Sequence, residues 1–430
     1  MLNNFFKLEQ HGTTVRREIA AGVTTFLTMA YVLFVNPAIL SDAGMDPGGV
    51  FVATCLAAAV GTAIMGLWAN YPIAMAPGMG LNAFFTYGVV LGMGYPWEVA
   101  LGTVFLSGVL FVAISVFRVR EWIINAVPHS LKMGTVAGIG LFLGIIAMEN
   151  AGLVVDNPAT LVSLGDMGQW SVVLAALGFA GIVALDRLRV PGAIIIGIFG
   201  VTAAGVVLGV SEFNGILDVP PDPGTVMFRL DIRAALDLAL VGVIFAFLFT
   251  DLFDTSGTLI AVAHRAGLLD EHGRLPRLRR ALVADSLATV FGAAAGTSSV
   301  TCYIESASGV RAGGRTGLTA VVVAALFVAA LLLSPLAATV PAYATAPALL
   351  FVACLMMRSF VEVDWNDVTE YVPATALAMT MPFTFSIANG LAIGFVSYVA
   401  VKLLSGRHQA VKPAVGVLAA LFICKFVWIG

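Results

Sequence analysis

The sequence predicts an all-α polytopic membrane protein of about fourteen membrane segments, built as two inverted repeats of seven, with short discontinuous segments at positions three and ten. Three observations predict it. Of the 430 residues 60% are hydrophobic and only 11% charged, with a mean hydropathy of +0.98; a soluble chain carries about twice that charged fraction. Basic and acidic loops alternate along the chain, as they do on the two sides of a membrane. Interrupted apolar runs recur at matching positions in the two halves, the pattern of a mid-membrane site between inverted repeats.

Taken in order, residues 1–210 form the first repeat. The polar start, with Lys7, Arg16 and Arg17 and no signal-peptide pattern, places the N-terminus inside. Spans one (19–40) and two (50–69) lead into Asn70–Phe85, where Pro72, Pro77, Gly78, Gly80 and Asn82 rule out a regular helix. Unpaired backbone at membrane depth survives only when buried in protein or lining a cavity. Spans four (98–117) and five (131–148) follow; Gly134, Gly138, Gly140 and Gly144 in span five suit close helix packing. Spans six (170–185) and seven (191–210) complete the repeat, and residues 211–237 are a polar linker.

The second repeat covers residues 238–404. Span eight (238–263) exits into the most basic loop, from Arg265 to Arg280. Span nine (281–294) leads into Gly296–Gly309, short, hydroxyl-rich and carrying the lone Glu305. Spans eleven (316–336), twelve (344–357), thirteen (371–387) and fourteen (390–404) follow, with Asn389-Gly390 as the expected break between the last two. Residues 405–430 are a tail whose apolar run, 414–428, is short for a span. Counting sides from an inside N-terminus puts Arg118/Arg120, Arg187/Arg189, Arg265–Arg280, Arg311/Arg315, Arg358 and Lys402/Arg407 on the cytoplasmic face. The acidic loops at Asp42–Asp46, Glu149–Asp166 and Glu212–Asp222 fall outside. Seven spans per half follow, so the halves face opposite ways.

Span eight carries Asp251 and Asp254 in mid-run. An acid at mid-membrane costs about 2.5–3.5 kcal/mol on insertion scales, and such residues face a polar cavity or pathway. Asp251, Asp254 and Thr258 share one helix face by spacing; the structural alternative is an interhelical contact or cap. With Tyr303 and Glu305 from segment ten, and Asn82 and Phe84 from segment three, the candidate site offers carboxyls, an amide and aromatic faces. Those groups suit a flat, neutral heterocycle edged with N–H and C=O; clustered carboxylates would repel an anion. The scattered basic residues suggest no nucleic-acid partner. Cys55, Cys302, Cys354 and Cys424, lying in or near apolar runs without a CxxC pair, read as small buried hydrophobes and not as a metal site.

Ala284-Asp285-Ser286-Leu287-Ala288-Thr289, Gly296–Thr301 and Tyr303-Ile304-Glu305 resemble the span nine–ten signature of the nucleobase/ascorbate transporter superfamily. Phe5–Leu8, His11–Thr14, Phe34-Val35-Asn36-Pro37, Ala76–Phe85 and Asp251-Leu252-Phe253-Asp254-Thr255 are similar to the AzgA-like purine permeases, and the likeness runs nearly the whole chain. It implies the uracil-transporter fold, with a core domain of segments 1–4 and 8–11 and a gate domain of segments 5–7 and 12–14. It also implies proton-coupled uptake of hypoxanthine, guanine, adenine or xanthine through the cytoplasmic membrane, with the proton as coupling ion and no cofactor. Membrane lipid is the surrounding partner, and a homodimer through the gate domain follows by analogy with the fold. Glu305 matches the segment-ten glutamate that hydrogen-bonds the base, and Asp254 the acidic position of span eight. Thr258 stands where pyrimidine transporters carry a histidine, so a histidine role in coupling does not transfer. Asp254 is therefore the first candidate for proton coupling and Asp251 the second. Asp285 is expected as a helix-start acid near the cytoplasmic arginines. An anion transporter of the same fold and an intramembrane enzyme are the alternatives; the enzyme lacks GxGD and HExxH motifs.

Overall fold

In the computed structural model, which describes residues 2–116, 127–268 and 275–428, a short helix, α1 (Leu2–Phe6), precedes the first span. Phe117, Arg118, Arg120 and Arg274 of the span and charge pattern lie outside the described residues. The first span is two helices, α2 (Val15–Met29) and α3 (Val32–Asp42), meeting at a turn on Ala30 and Tyr31. Thr14 caps α2 by accepting from the Arg17 N–H. Asp46 caps α4 (Pro47–Ile64) by accepting from the Gly49 N–H, with Pro47 in the first turn, where its missing N–H costs nothing. The helix continues in wider turns over Met65–Ala69.

The expected third segment is indeed discontinuous. Strand β1 (Met75–Pro77) runs into α5 (Met79–Ala83) and a wide-turned helix, Phe84–Gly92. Helices α6 (Trp97–Val116) and α7 (His129–Asn150) follow. The acidic loop after α7 holds a hairpin that the sequence reading did not resolve, β2 (Val154–Asn157) with β3 (Leu161–Leu164). Then come α8 (Trp170–Arg187), α9 (Ala193–Val207) and, in the linker, α10 (Ile232–Ala235).

The second half opens with α11 (Val241–Arg265) and α12 (Leu278–Ala295). Gly296 ends α12 at φ +96°, and a Cβ there would meet Val226 at 2.6 Å, so only glycine fits the turn. Strand β4 (Val300–Cys302) and α13 (Ser306–Arg311) form the second broken segment. Next are α14 (Gly317–Ala330), α15 (Ser334–Thr339), α16 (Ala342–Met357), α17 (Val368–Thr384), α18 (Ile387–Leu404) and α19 (Pro413–Trp428). The break before α18 differs from the expected Asn389-Gly390. It falls at Phe385, in left-handed backbone, and Ser386, whose hydroxyl caps the Asn389 N–H, so Asn389 lies within the first turn of the helix. The tail run forms α19, laid against α18 with Phe422 on Phe395. Cys55 and Cys302 are buried as expected, but Cys354 and Cys424 sit on outward helix faces.

Among the described residues nine helices are long and apolar enough to cross a membrane. The other expected segments are shorter, as with Ala193–Val207, broken, as with β1–α5 and β4–α13, or, as with α12 and its Arg279, Arg280 and Asp285, too charged. The helices pack in two groups. In one, α12 lies on α4 and α6, and α14 on α2 and α4. In the other, α7 lies between α16 and α17, α8 packs on α9 and α16, and α18 on α17. The glycines of α7 permit this second packing: a Cβ at Gly134 would meet the Ala374 backbone at 2.9 Å, and one at Gly140 the Ala353 carbonyl at 2.8 Å.

Candidate functional site

The two broken segments meet. β1 and β4 pair antiparallel, Met75 opposite Cys302 and Pro77 opposite Val300, so each satisfies backbone groups the other leaves open in the membrane interior. Side chains complete the joint. Thr62 exchanges hydrogen bonds with the Met75 N–H and carbonyl at 2.8 and 3.0 Å, and the Ala74 N–H donates to the Ser306 hydroxyl at 3.0 Å. The Tyr303 hydroxyl donates to the Pro77 carbonyl at 2.5 Å. Tyr303 thus ties segment ten to segment three, its phenol occupied by backbone.

Glu305 follows directly and is half-buried. Its Oε1 accepts from the Tyr31 hydroxyl at 2.8 Å. Asp254, also half-buried, comes from α11, hydrogen-bonds the Thr301 side chain and lies close enough to Glu305 for their charges to act on one another. Among the described residues no ion pair joins either carboxyl to a cation. Asp254 faces a narrow cleft between the two helix groups. Gly80, Leu81, Thr250 and Phe253 line it from one side, Thr135 and Ile139 from the other. The seam is tight: a Cβ on Gly80 would meet Ile139 at 2.2 Å.

Asp251 points elsewhere. It is 1% exposed, its Oδ2 takes the Thr289 hydroxyl at 3.1 Å, and its Oδ1 lies 3.3 Å from the Thr255 hydroxyl. The same Thr255 hydroxyl donates to Asp285 at 2.8 Å. The expectation for Asp285 is therefore corrected. It stands fully buried, two turns into α12, facing α11 and the Cys302 thiol, because the small residues around it let α11 and β4 close over that face. Asp251 and Asp254 share a helix but not a surrounding: one turns to α12, the other to the cleft.

Asn82 and Phe84 stand one layer behind the cleft, both fully buried. Asn82 donates to Asn36 at 2.5 Å and accepts from Ser298, while Asn36 donates to Thr54 and Thr297 at 2.7 and 2.9 Å. Phe84 packs on Phe247 of α11, ring centroids 5.0 Å apart. Thr258 is buried one turn beyond Asp254. The structure thus gathers Asp254, Glu305 and Tyr303, and adds Tyr31 and Thr301, which the sequence reading passed over. Thr301 ends the Gly296–Thr301 motif, and Tyr31 is a tyrosine in mid-span.

Comparison with known proteins gives three findings. The permease family model matches residues 16–393. The chain is 51% identical over 429 residues to the adenine permease AdeP of Escherichia coli (strain K12), covering 100% of this chain and 96% of that one. It is 41% identical to the guanine/hypoxanthine permease GhxP of Escherichia coli O157:H7, covering 98% and 96%. Among solved structures, the transmembrane domain of the cyanobacterial bicarbonate transporter BicA superposes with a TM-score of 0.66 at 14% identity, covering 88% of this chain and 97% of that one. At that identity the likeness is one of fold.

Proposed function

The chain belongs to the permease family, and we propose that it carries purine nucleobases across the cytoplasmic membrane by alternating access, driven by protons. It is an integral, multi-pass membrane protein and a transporter, not an enzyme. The names of its relatives, adenine and guanine/hypoxanthine permeases, support the purine class. The observation that carries the reading is a pair of half-buried carboxyls, Asp254 lining the cleft between two helix groups and Glu305 near enough for their charges to interact, with no cation paired to either among the described residues. Carboxyls so placed accept N–H groups of a neutral base and disfavour an anion, which separates this site from a bicarbonate site on a similar fold.

The group containing α4, α12 and α14 acts as the core that carries the base, and the group around α7, α16, α17 and α18 as the gate. Glu305 accepts an N–H of the base. Tyr303 fixes the joint beside it, and Thr258 lies on the path one turn beyond Asp254. Asn82 and Phe84, one layer behind, share in binding by holding the Gly80–Leu81 backbone against it. A neutral purine gains nothing from the membrane potential, so accumulation needs a co-transported cation. Asp254 carries that proton, and Asp251 is the second candidate, joined through Thr255 to Asp285. A hydroxyl donates only once, so Thr255 between two carboxyls is best satisfied when one of them is protonated. The N-terminus lies inside, lipid surrounds the helices, and two copies associate through the gate.

The test is uptake of radiolabelled adenine and hypoxanthine by proteoliposomes in sodium-free buffer, with an imposed inward proton gradient and a panel of unlabelled bases as competitors. Purines compete and a protonophore abolishes accumulation. Competition by bicarbonate but not by purines overturns the substrate; accumulation that ignores the protonophore overturns the coupling.

A further inference from the structure

Glu305 is held from behind by a residue of a different segment. Tyr31 is 2% exposed and sits at the turn that divides the first span into α2 and α3. The turn is tight: the Ala30 N–H donates to the Phe26 carbonyl at 2.7 Å, and the Leu33 and Phe34 N–H groups donate to the Ala30 and Tyr31 carbonyls at 3.1 Å. The ring is therefore fixed at both ends, by backbone at Cα and by Glu305 at the hydroxyl. The neighbouring phenol cannot replace it. The Tyr303 ring lies 6.5 Å away by centroid, and its hydroxyl is taken by Pro77.

A glutamate side chain has several rotatable bonds, and a carboxylate that swings freely presents no fixed acceptor to a ligand. Here Oε1 is held at 2.8 Å by a donor that is itself immobile. We propose that Tyr31 is a positioning residue for substrate: by holding Oε1 it fixes the Glu305 carboxylate so that Oε2 is presented to an N–H on the edge of a purine. This rests on the reading above that Glu305 accepts from the base. It adds a first-segment residue to a site otherwise built from segments three, eight and ten, and it makes the turn at Ala30–Tyr31 part of the recognition geometry. The class of ligand favoured is a base with an N–H donor on the edge that meets Glu305; a base methylated there loses the advantage.

The test compares full-length wild-type protein with Tyr31→Phe, which removes one oxygen and keeps the ring. Equilibrium binding and initial-rate uptake of radiolabelled purine are measured beside melting temperature in detergent. A hydrogen bond to a charged group is worth enough for Tyr31→Phe to raise Kd and KM about tenfold or more, with the maximal rate changed far less. In a Glu305→Asp background, where the shorter side chain has already left the tyrosine, Tyr31→Phe changes Kd less than about twofold more. Wild-type Kd and KM in Tyr31→Phe overturn the proposal, as does an undiminished tenfold loss in the Glu305→Asp background. Should Tyr31→Phe melt early, 3-fluorotyrosine at position 31, which keeps the hydroxyl but alters its strength as a donor, must shift KM at unchanged melting temperature; an unmoved KM overturns the proposal. Wild-type binding by Glu305→Ala, which removes the acceptor, rejects instead the underlying reading of Glu305.

Discussion

Two of the acidic clusters, one around Lys402 and one around Asp254 and Glu305, are built oppositely. In the group proposed as the gate, Lys402 of α18 is 2% exposed and sits 2.6 Å from Glu370, 4.0 Å from Asp367 and 2.7 Å from the Thr369 hydroxyl it donates to. Ser130 and Tyr398 donate to Glu370, and Arg407 pairs with Asp367. Each of these acids meets a cation, and α7, α17 and α18 are pinned together at one end. At and beside the cleft, Asp254 takes the Thr301 hydroxyl, and Glu305 the Tyr31 hydroxyl and a backbone N–H, with no cation paired to either among the described residues. A charge cluster that is neutralised in place holds structure. Carboxyls left without a cation beside a cleft keep their capacity for an outside N–H or proton. The contrast fits the binding role proposed for one cluster and a structural role for the other, and it can be broken by experiment.

The largest effect belongs to Glu305. Glu305→Ala removes the acceptor and abolishes measurable purine binding; Glu305→Asp keeps the charge and weakens binding, on the scale of a charged hydrogen bond of about 1.5–3 kcal/mol. Isothermal or radioligand binding on the folded variants decides it, and wild-type affinity in Glu305→Ala removes Glu305 from the site. Next comes Asp254→Asn. It should end concentrative uptake while leaving binding or exchange in part. Counterflow that stays intact while gradient-driven accumulation disappears is the expected pattern; accumulation surviving in the variant would move the proton elsewhere, with Asp251 first in line.

Much of this was legible in the chain, for physical reasons. Proline and glycine cannot continue a regular helix, so both broken segments showed themselves at Pro72–Gly80 and Gly296–Gly309, and β1 and β4 lie in them. Acids in an apolar run are costly enough to announce a site, which singled out Asp254. Side-chain direction was less legible. Spacing of three placed Asp251 beside Asp254, yet a sixth of a turn sends one to Thr289 and the other to the cleft. Asn82 looked like a wall residue because an amide suits a base; its amide is spent instead on Asn36 and Ser298, contacts with residues 46 and 216 positions away that no local pattern encodes. Tyr31 escaped notice for the same reason, its partner being 274 residues distant.

A third experiment sharpens the comparison from the gate side. Lys402→Met removes the buried cation and leaves Glu370 without a counter-charge, which costs about 3–5 kcal/mol when a buried pair is broken. Its melting temperature should fall clearly while the Kd for purine stays at the wild-type value. Adding Glu370→Leu to Lys402→Met removes the orphaned charge and should recover most of the loss. A Kd that moves with Lys402→Met would make the gate cluster part of the binding machinery and dissolve the division drawn here.

The smallest effect is at Asp367, and its dependence on pH gives it a signature. The hydroxyl and N–H of Thr369, and then Arg407, hold the Asp367 carboxyl down to about 2, below the ordinary aspartate range near 3.9. A carboxyl held down in the folded protein adds stability that is fully present above the unfolded value and lost as pH falls through the folded one. Asp367 also caps α17 through the Thr369 N–H at 2.9 Å. Asp367→Asn keeps much of the capping geometry and removes the charge. Its melting temperature should therefore lie slightly below wild type at neutral pH, and the gap should narrow as the medium is acidified from about 4 toward 2. Melting curves of the two proteins across that range, in one detergent, measure the gap directly. A gap that stays constant down to the acid end would mean that the ion pair with Arg407 contributes nothing, leaving Lys402 and Glu370 as the whole of the gate cluster's charge contribution.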